Sequence, residues 1–371
     1  MKAFDAAIVG AGIVGAACAA ALSREGLSVV MIDGMPPATG TTAAGMGHIV
    51  VMDDSEAQLA LTQYSQELWR KLATELPAAC EYENCGTIWV AADDLEMNAV
   101  RRKYDLYRSR GLRGEVLDAD SLRDAEPNLG DHLVGGLLVT QDAVVYQLTA
   151  TRFLTGKATG SGAEMRIGQS VAGINEGTVT LDNGERVSAK IIVNAAGAAA
   201  GVLSPQLKIR KRRGHLVITE RCRGFVRHQL VELGYLSSAH GRESESVAFN
   251  IQPRITGQIL LGSSRQFENE DIGIDEGMLR KMTSRAFEYM PKLRELTAVR
   301  VWTGFRPATP DNLPYIGKIE GFENIFAAAG HEGLGITTSL GTAELLTDQI
   351  LGREPAIPGD PYLPTRKFTE N

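Results

Sequence analysis

Cysteine is scarce in this chain: 371 residues hold four, Cys18, Cys80, Cys85 and Cys222, with no CxxC pair and no ladder of close spacings. An iron–sulfur or zinc site built from this chain alone is therefore not expected, nor is any other metal. Positive charge is also short, 38 Lys and Arg against 45 Asp and Glu for a net charge of −7, so neither nucleic acid nor an anionic membrane is expected as the main partner. No apolar run approaches the roughly 20 residues of a membrane span. The 17-residue uncharged stretch from Ala6 to Leu22 follows Asp5, where a leader would be basic, and it contains three glycines. It reads as part of a folded site rather than as a cleaved signal, and a cytoplasmic chain is expected. Internal repeats and low-complexity tracts are absent too.

What is plentiful is glycine, at 40 residues. Gly10-x-Gly12-x-x-Gly15 follows a short apolar strand, Phe4 to Val9, and opens an Ala-rich helix, Ile13 to Arg24; a second strand, Ser28 to Ile32, ends on Asp33. That order is the context a dinucleotide fingerprint needs. Gly10 permits the tight turn, Gly12 lets backbone approach phosphate oxygens, and Gly15 lets helix and strand pack closely. The helix N-terminus turns unpaired N–H groups and a partial positive charge toward a pyrophosphate. Asp33, 18 residues after Gly15, stands about where a carboxylate accepts hydrogen bonds from an adenosine ribose.

The length exceeds what one core usually serves, so two domains are expected. Leu68, Trp69, Leu72 and Leu76 have helical spacing between Tyr64 and Leu76, and Gly86 to Ala91 reads as a strand. Glu96 to Arg110 reads as a charged helix. Val171 to Ala195 reads as a hairpin turning at Asp182-Asn183-Gly184. His215 to Ile218 and Val247 to Gly262 read as β, Met278 to Tyr289 as helix, and Gly341 to Leu351 as a closing helix. The basic cluster Lys208, Arg210, Lys211, Arg212, Arg213 is expected as a solvated strand end, or else as a docking edge for an acidic partner.

Four motifs in order, running nearly the whole length, resemble the D-amino acid oxidase superfamily of FAD enzymes, which includes glycine oxidase. They are the glycine fingerprint with the following Thr41-Thr-Ala-Ala-Gly-Met46 loop, the turn Asn194-Ala-Ala-Gly197, the segment Gly304-Phe-Arg306-Pro through Gly317, and Gly330-His-Glu-Gly-Leu-Gly-Ile-Thr337. The Trp that often follows the second turn in that family is missing. Within the superfamily, segments 44–51 and 260–265 are most similar to the group formed by the D-hydroxyproline dehydrogenase β subunit and the corresponding FAD chain of hydrogen cyanide synthase. The resemblance implies an α/β fold in which a Rossmann-type FAD-binding domain, residues 1–76, 144–206 and 307–371, carries an inserted β-rich α+β substrate domain, residues 77–143 and 207–306.

It also implies the site. FAD would be held by Gly10, Gly12, Ile13, Val14, Gly15 and Asp33; by Thr41, Thr42, Ala43, Gly45 and Met46; by Val171, Ala196 and Gly197; and by Gly330, Gly333, Leu334, Gly335, Ile336 and Thr337. No cysteine lies near the carboxyl end, where some relatives attach the flavin, so non-covalent binding is expected. Oxidising an amino acid removes a hydride from Cα, which flavin N5 accepts when the two are well placed. A planar guanidinium can place the substrate by gripping its carboxylate. The resemblance gives that role to Arg306, whose plainer reading is a structural ion-pair residue. Asn250 stands where the family has a Tyr, which puts the substrate in doubt, and it is a candidate substrate ligand. His48 and His331 are candidates to face flavin or substrate amine, and neither is assigned as base. A helix N-terminus after Gly330–Gly335 would stabilise charge on reduced flavin.

The implied activity is an FAD dehydrogenase subunit oxidising a cyclic D-amino acid, cis-4-hydroxy-D-proline first, and passing electrons to companion subunits. Any FMN or iron–sulfur centre is expected in those partners or shared with them. A self-sufficient oxidase of glycine, sarcosine or D-amino acids, and an electron-transfer subunit without substrate chemistry, are the alternatives.

Overall fold

The computed structural model describes residues 3–234, 245–267 and 271–368. Its first sheet runs edge to edge through Tyr315–Lys318, Ile325–Ala329, Arg186–Asn194, Ala3–Val9, Val29–Asp33 and Glu164–Ile167. All neighbours are parallel except the first pair. The inner strand Val29–Asp33 and most of Ala3–Val9 are apolar on both faces because both are covered. Ala6, Ile8, Val29 and Met31 pack against the helices Ile13–Arg24, Gln147–Gly160 and Gly335–Leu351. Phe4, Val9, Val30 and Ile32 pack on the other side against Ile174, Val179 and Val187. The expected hairpin after Val171 holds three strands rather than two, Val171–Asn175, Thr178–Leu181 and Arg186–Asn194, with the turn where the sequence puts it.

The second sheet has eight strands, in order Ala298–Ala308, Arg210–Thr219, Ile259–Gln266, Glu245–Pro253, Gln229–Glu232, Thr87–Ala91, Gly135–Val139 and Gly114–Asp118. On one face Ile88, Leu230, Phe249 and Ile251 pack with Met282 and Tyr289 of the helix Glu276–Tyr289. Phe249 stacks on Tyr289 at 4.6 Å between centroids, an arrangement contributing about 0.5–1.5 kcal/mol beyond its area. The opposite face packs Trp89, Leu137 and Val231 against Val50, Val51 and the helix Asp94–Ser109.

Three expectations are corrected. The helix around Trp69 runs Glu56–Leu72, started by Ser55, whose hydroxyl accepts from Gln58 N; Leu76 lies beyond it. The closing helix starts at Gly335, and Gly341 is an interior residue whose Cβ would stand 2.3 Å from Ser65 Oγ, so glycine there permits close helix packing. The basic cluster is not wholly solvated: Arg212 and Arg213 are each only 2% exposed. The strand carries them inward, where the Arg213 guanidinium donates to Gln266 Oε1 and the Asp271 carbonyl.

Candidate active site

The first strand, the second strand and Arg186–Asn194 end side by side, and a cavity of about 470 Å³ opens there, beyond their carboxyl ends. Such strand ends are where open α/β sheets place ligands. Gly10 makes the turn with φ +111, and its Cβ would fall 2.4 Å from the Ala195 carbonyl oxygen. A Cβ on Gly15 would lie 2.0 Å from the Gly10 carbonyl oxygen, so Gly15 seats the helix on the turn and stays off the cavity wall. Asp33 is on the wall, accepting from Ala11 N at 2.7 Å and Met35 N at 2.8 Å.

Helices starting at Glu56, Asp94, Ala119 and Glu276 are each capped by the side chain of the preceding Ser or Asp. The short Gly40–Ala44, also at the cavity, and Gln147–Gly160, away from it, have no such cap, and neither have the two long helices that start at the cavity, Ile13–Arg24 and Gly335–Leu351, preceded by Gly12 and Leu334. Their first-turn N–H groups are thus turned toward the cavity, as binding of an anion or electron-rich ring edge requires. Thr42 closes over the first of them, its Oγ1 accepting from Ile13 N at 3.1 Å, and Thr41 Oγ1 donates to the Phe305 carbonyl at 2.8 Å. Asn194, fully buried, donates to the Ala200 carbonyl and to Ser204 Oγ, both at 2.9 Å; this fixes the Ala196–Gly197 turn, with Gly197 at φ +56, on the same wall. A glycine cradle that a Cβ would fill, an acid at the second strand end and two uncapped helix starts fit FAD.

Of the expected cofactor residues, Ile13, Val14, Gly45, Met46, Val171, Gly333 and Ile336 also line the cavity, whereas Ala43, Gly330, Leu334 and Thr337 do not. Gly330 is needed for packing, its Cβ position lying 2.5 Å from Thr309 Cγ2. Thr337 donates its hydroxyl to the His48 carbonyl at 2.8 Å and holds that segment in place.

The second sheet supplies the far wall. Arg306 reaches the cavity, its Nη1 donating to the Ser264 carbonyl at 2.9 Å. Its Nε is 4.0 Å from Glu332 Oε1, which also lies 3.6 Å from Arg212 Nη1 and 3.5 Å from Arg265 Nε. The carboxylate therefore anchors three guanidiniums at once. Its place in the sequence motif gave no hint of this, and neither did the runs containing Arg212 and Arg265. Asn250 and His48 share the wall with Arg306, and so does His331. Burial, aided by Arg306, holds the His48 imidazole neutral with its pKa down at about 3. Burial alone puts His331 at about 3, with Nε2 3.0 Å from Thr342 Oγ1.

Gly214 was not singled out by the sequence. Pairing with the Ala298–Ala308 strand puts it opposite Gly304, and its Cβ would stand 2.3 Å from Arg306 Nη1. The obstructed atom is the end of a flexible side chain, so Gly214→Ala should fold and bind FAD while displacing the guanidinium. We expect kcat/KM to fall about 10–100-fold, the scale of an ångström misplacement, with flavin content unchanged, as absorbance and steady-state rates would show.

Asp142 supports the segment after His48 by accepting from Val51 N at 3.3 Å and Gln66 Nε2 at 2.7 Å. Burial raises its pKa from 3.8 to about 7, against the hydrogen bonds it accepts. The folded state keeps this proton where the unfolded chain has lost it, so the contribution of Asp142 to stability falls as pH rises from 3.8 to about 7 and is level above. Asp142→Asn retains an accepting Oδ1 and should raise the melting temperature by several degrees at pH 8 and by clearly less at pH 5.

The family described as FAD dependent oxidoreductase (DAO) matches residues 5–349. Hydrogen cyanide synthase subunit HcnC of Pseudomonas protegens is 26% identical over 100% of this chain and 97% of its own. Glycine oxidase of Pseudomonas aeruginosa is 26% identical over 97% of this chain and 98% of its own. The crystal structure of glycine oxidase from Geobacillus kaustophilus superposes with a TM-score of 0.89 at 24% identity, covering 100% of both chains.

Proposed function

Since the chain belongs to the DAO family of FAD-dependent oxidoreductases, as its motifs led one to expect, we propose that it is an amino acid dehydrogenase subunit. Its substrate in this reading is a cyclic D-amino acid, cis-4-hydroxy-D-proline first, and its electrons go to partner subunits. The observation that carries the reading is that the Arg306 guanidinium and the glycine cradle open on one cavity. Gly10, Gly12 and the two uncapped helix starts hold FAD without a covalent link, and Asp33 takes its ribose. When bound, the isoalloxazine supplies the acceptor for the hydride that leaves Cα. Arg306 grips the substrate carboxylate, with Asn250 beside it. Loss of that hydride and of the proton on nitrogen converts the ring to a pyrroline carboxylate. An amine that arrives neutral needs no strong base, in keeping with two imidazoles held near pKa 3.

The same reading assigns residues 1–76, 144–206 and 307–371 to the FAD-binding domain and 77–143 and 207–306 to the substrate domain. Partner subunits are supported by one relative's being a synthase subunit. Among the described residues no helix is long and apolar enough to cross a membrane, and a cytoplasmic location belongs to the proposal. Likeness to glycine oxidase over nearly the whole chain favours a second reading, an oxidase that makes peroxide itself. Anaerobic addition of cis-4-hydroxy-D-proline should bleach the flavin, and air should yield little peroxide. Fast peroxide release from the isolated chain would establish the second reading instead.

A further inference from the structure

Beside the main cavity lies a smaller one of about 40 Å³, with His48, Asn250, Glu332 and Gly333 on both walls. One water needs roughly 10–15 Å³ on this scale, so the compartment takes a group of very few heavy atoms. Its floor is the second sheet. Gln229 pairs with Thr87 and Val231 with Trp89 in parallel register, and Val231 pairs with Asn250 on its other side. These five side chains therefore rise from one face of three adjacent strands. Thr87, Gln229 and Asn250 are polar although at most 4% exposed, while the reverse face is apolar. Among the described residues, Asn250 Oδ1, Gln229 Oε1 and His48 Nε2 are buried without a hydrogen-bond partner. A buried polar group left unsatisfied costs about 1–3 kcal/mol. Two such amides and an imidazole at one small opening are a penalty on the fold unless bound water or a ligand completes them.

We infer that this compartment receives a side-chain hydroxyl of the substrate, with Gln229, Asn250 and His48 as the residues that select it; the inference rests on the amino acid oxidation proposed above. A carboxylate would pair with Arg265 but bring no donor to the two amide oxygens and the imidazole nitrogen. A side-chain ammonium would lie beside Arg265, which lines the same compartment. A hydroxyl donates and accepts, so it satisfies an amide whichever way that amide is turned. Substrates without it leave the amides buried and unpaired, and they are discriminated against for that reason.

The test compares kcat/KM of the FAD-loaded enzyme on matched pairs, cis-4-hydroxy-D-proline with D-proline and D-serine with D-alanine. The hydroxylated member should lead by about tenfold or more in at least one pair, equivalent to one net hydrogen bond. Gln229→Met, of similar length but without the acceptor, should reduce that lead about tenfold by slowing the hydroxylated member alone. It should also raise the melting temperature, since an unsatisfied amide has been replaced by an apolar chain; a merely structural role for Gln229 would lower it. Should Gln229→Met fail to fold, Gln229→Leu and the wild-type ratios decide. Wild-type ratios near one in both pairs, or equal losses on both members in the variant, overturn the inference and leave amino acid oxidation standing. Absence of bleaching by all four removes both.

Discussion

Arg306→Ala is expected to leave a yellow, folded protein whose flavin the substrate barely reduces. The guanidinium has two roles on the wall, hydrogen-bonding the Ser264 carbonyl and lying near Glu332. Losing it does not strand the glutamate, because Arg212 and Arg265 remain within 3.6 Å. The substrate carboxylate has no such substitute. Truncating one partner of a buried, hydrogen-bonded charge pair costs about 2–5 kcal/mol, or roughly 30- to 5,000-fold in kcat/KM. Lysine at 306 should recover little, since it lacks the planar fork that fixes carboxylate orientation. Flavin content and melting temperature should stay near wild type while anaerobic reduction rates collapse. Unchanged reduction would remove Arg306 from the site.

Gly10→Ala should act at the other end of the cavity and by another route. At φ +111 any Cβ is strained, and this one would meet Ala195 O at 2.4 Å and Ala195 C at 2.8 Å, all backbone. A left-handed conformation alone costs roughly 1–2 kcal/mol for a non-glycine residue, and the contact forces the turn away from the neighbouring strand. The expected product is colourless, with FAD affinity down at least about 100-fold and a lowered melting temperature. Gly12→Ala is the informative companion. Its Cβ would meet nothing closer than Thr42 Oγ1 at 3.1 Å, so the fold should survive while the new methyl stands on the cavity wall where phosphate must approach. Full flavin content in both variants would contradict the placement of the cofactor.

The features legible in the sequence are those whose causes are local. Glycines at 10, 12 and 15 shape their own turn, and the Ala-rich composition between Ile13 and Arg24 favours a helix that ends where the structure ends it. Arg306 was found because it sits in a motif. Gly214 and Gln229 carry no signal in the sequence, and Arg212 reads there as part of a solvated basic cluster, because the meaning of all three is made by partners far along the chain. The Arg210–Thr219 strand acquires its role only when it lies antiparallel to Ala298–Ala308, which brings Gly214 under the Arg306 guanidinium. Charge counting puts arginine on the surface, and no local rule anticipates Glu332 as the anchor that lets Arg212 stay buried. Glycines discount helix propensity, so the sequence alone puts the start of the closing helix at Gly341, yet Gly335 opens it and Gly341 fits against Ser65.

The cavity takes its walls from both sheets, Gly10 and Ala196 from one and Gly214, Asn250 and Arg306 from the other. A molecule lodged there works as mortar as well as reagent, because its binding free energy adds to the cohesion of the two layers. Stripping the flavin should therefore loosen the joint between the layers before it disturbs either one, and make the empty protein open to proteases along that joint while each layer keeps its own hydrogen-bonded ladder.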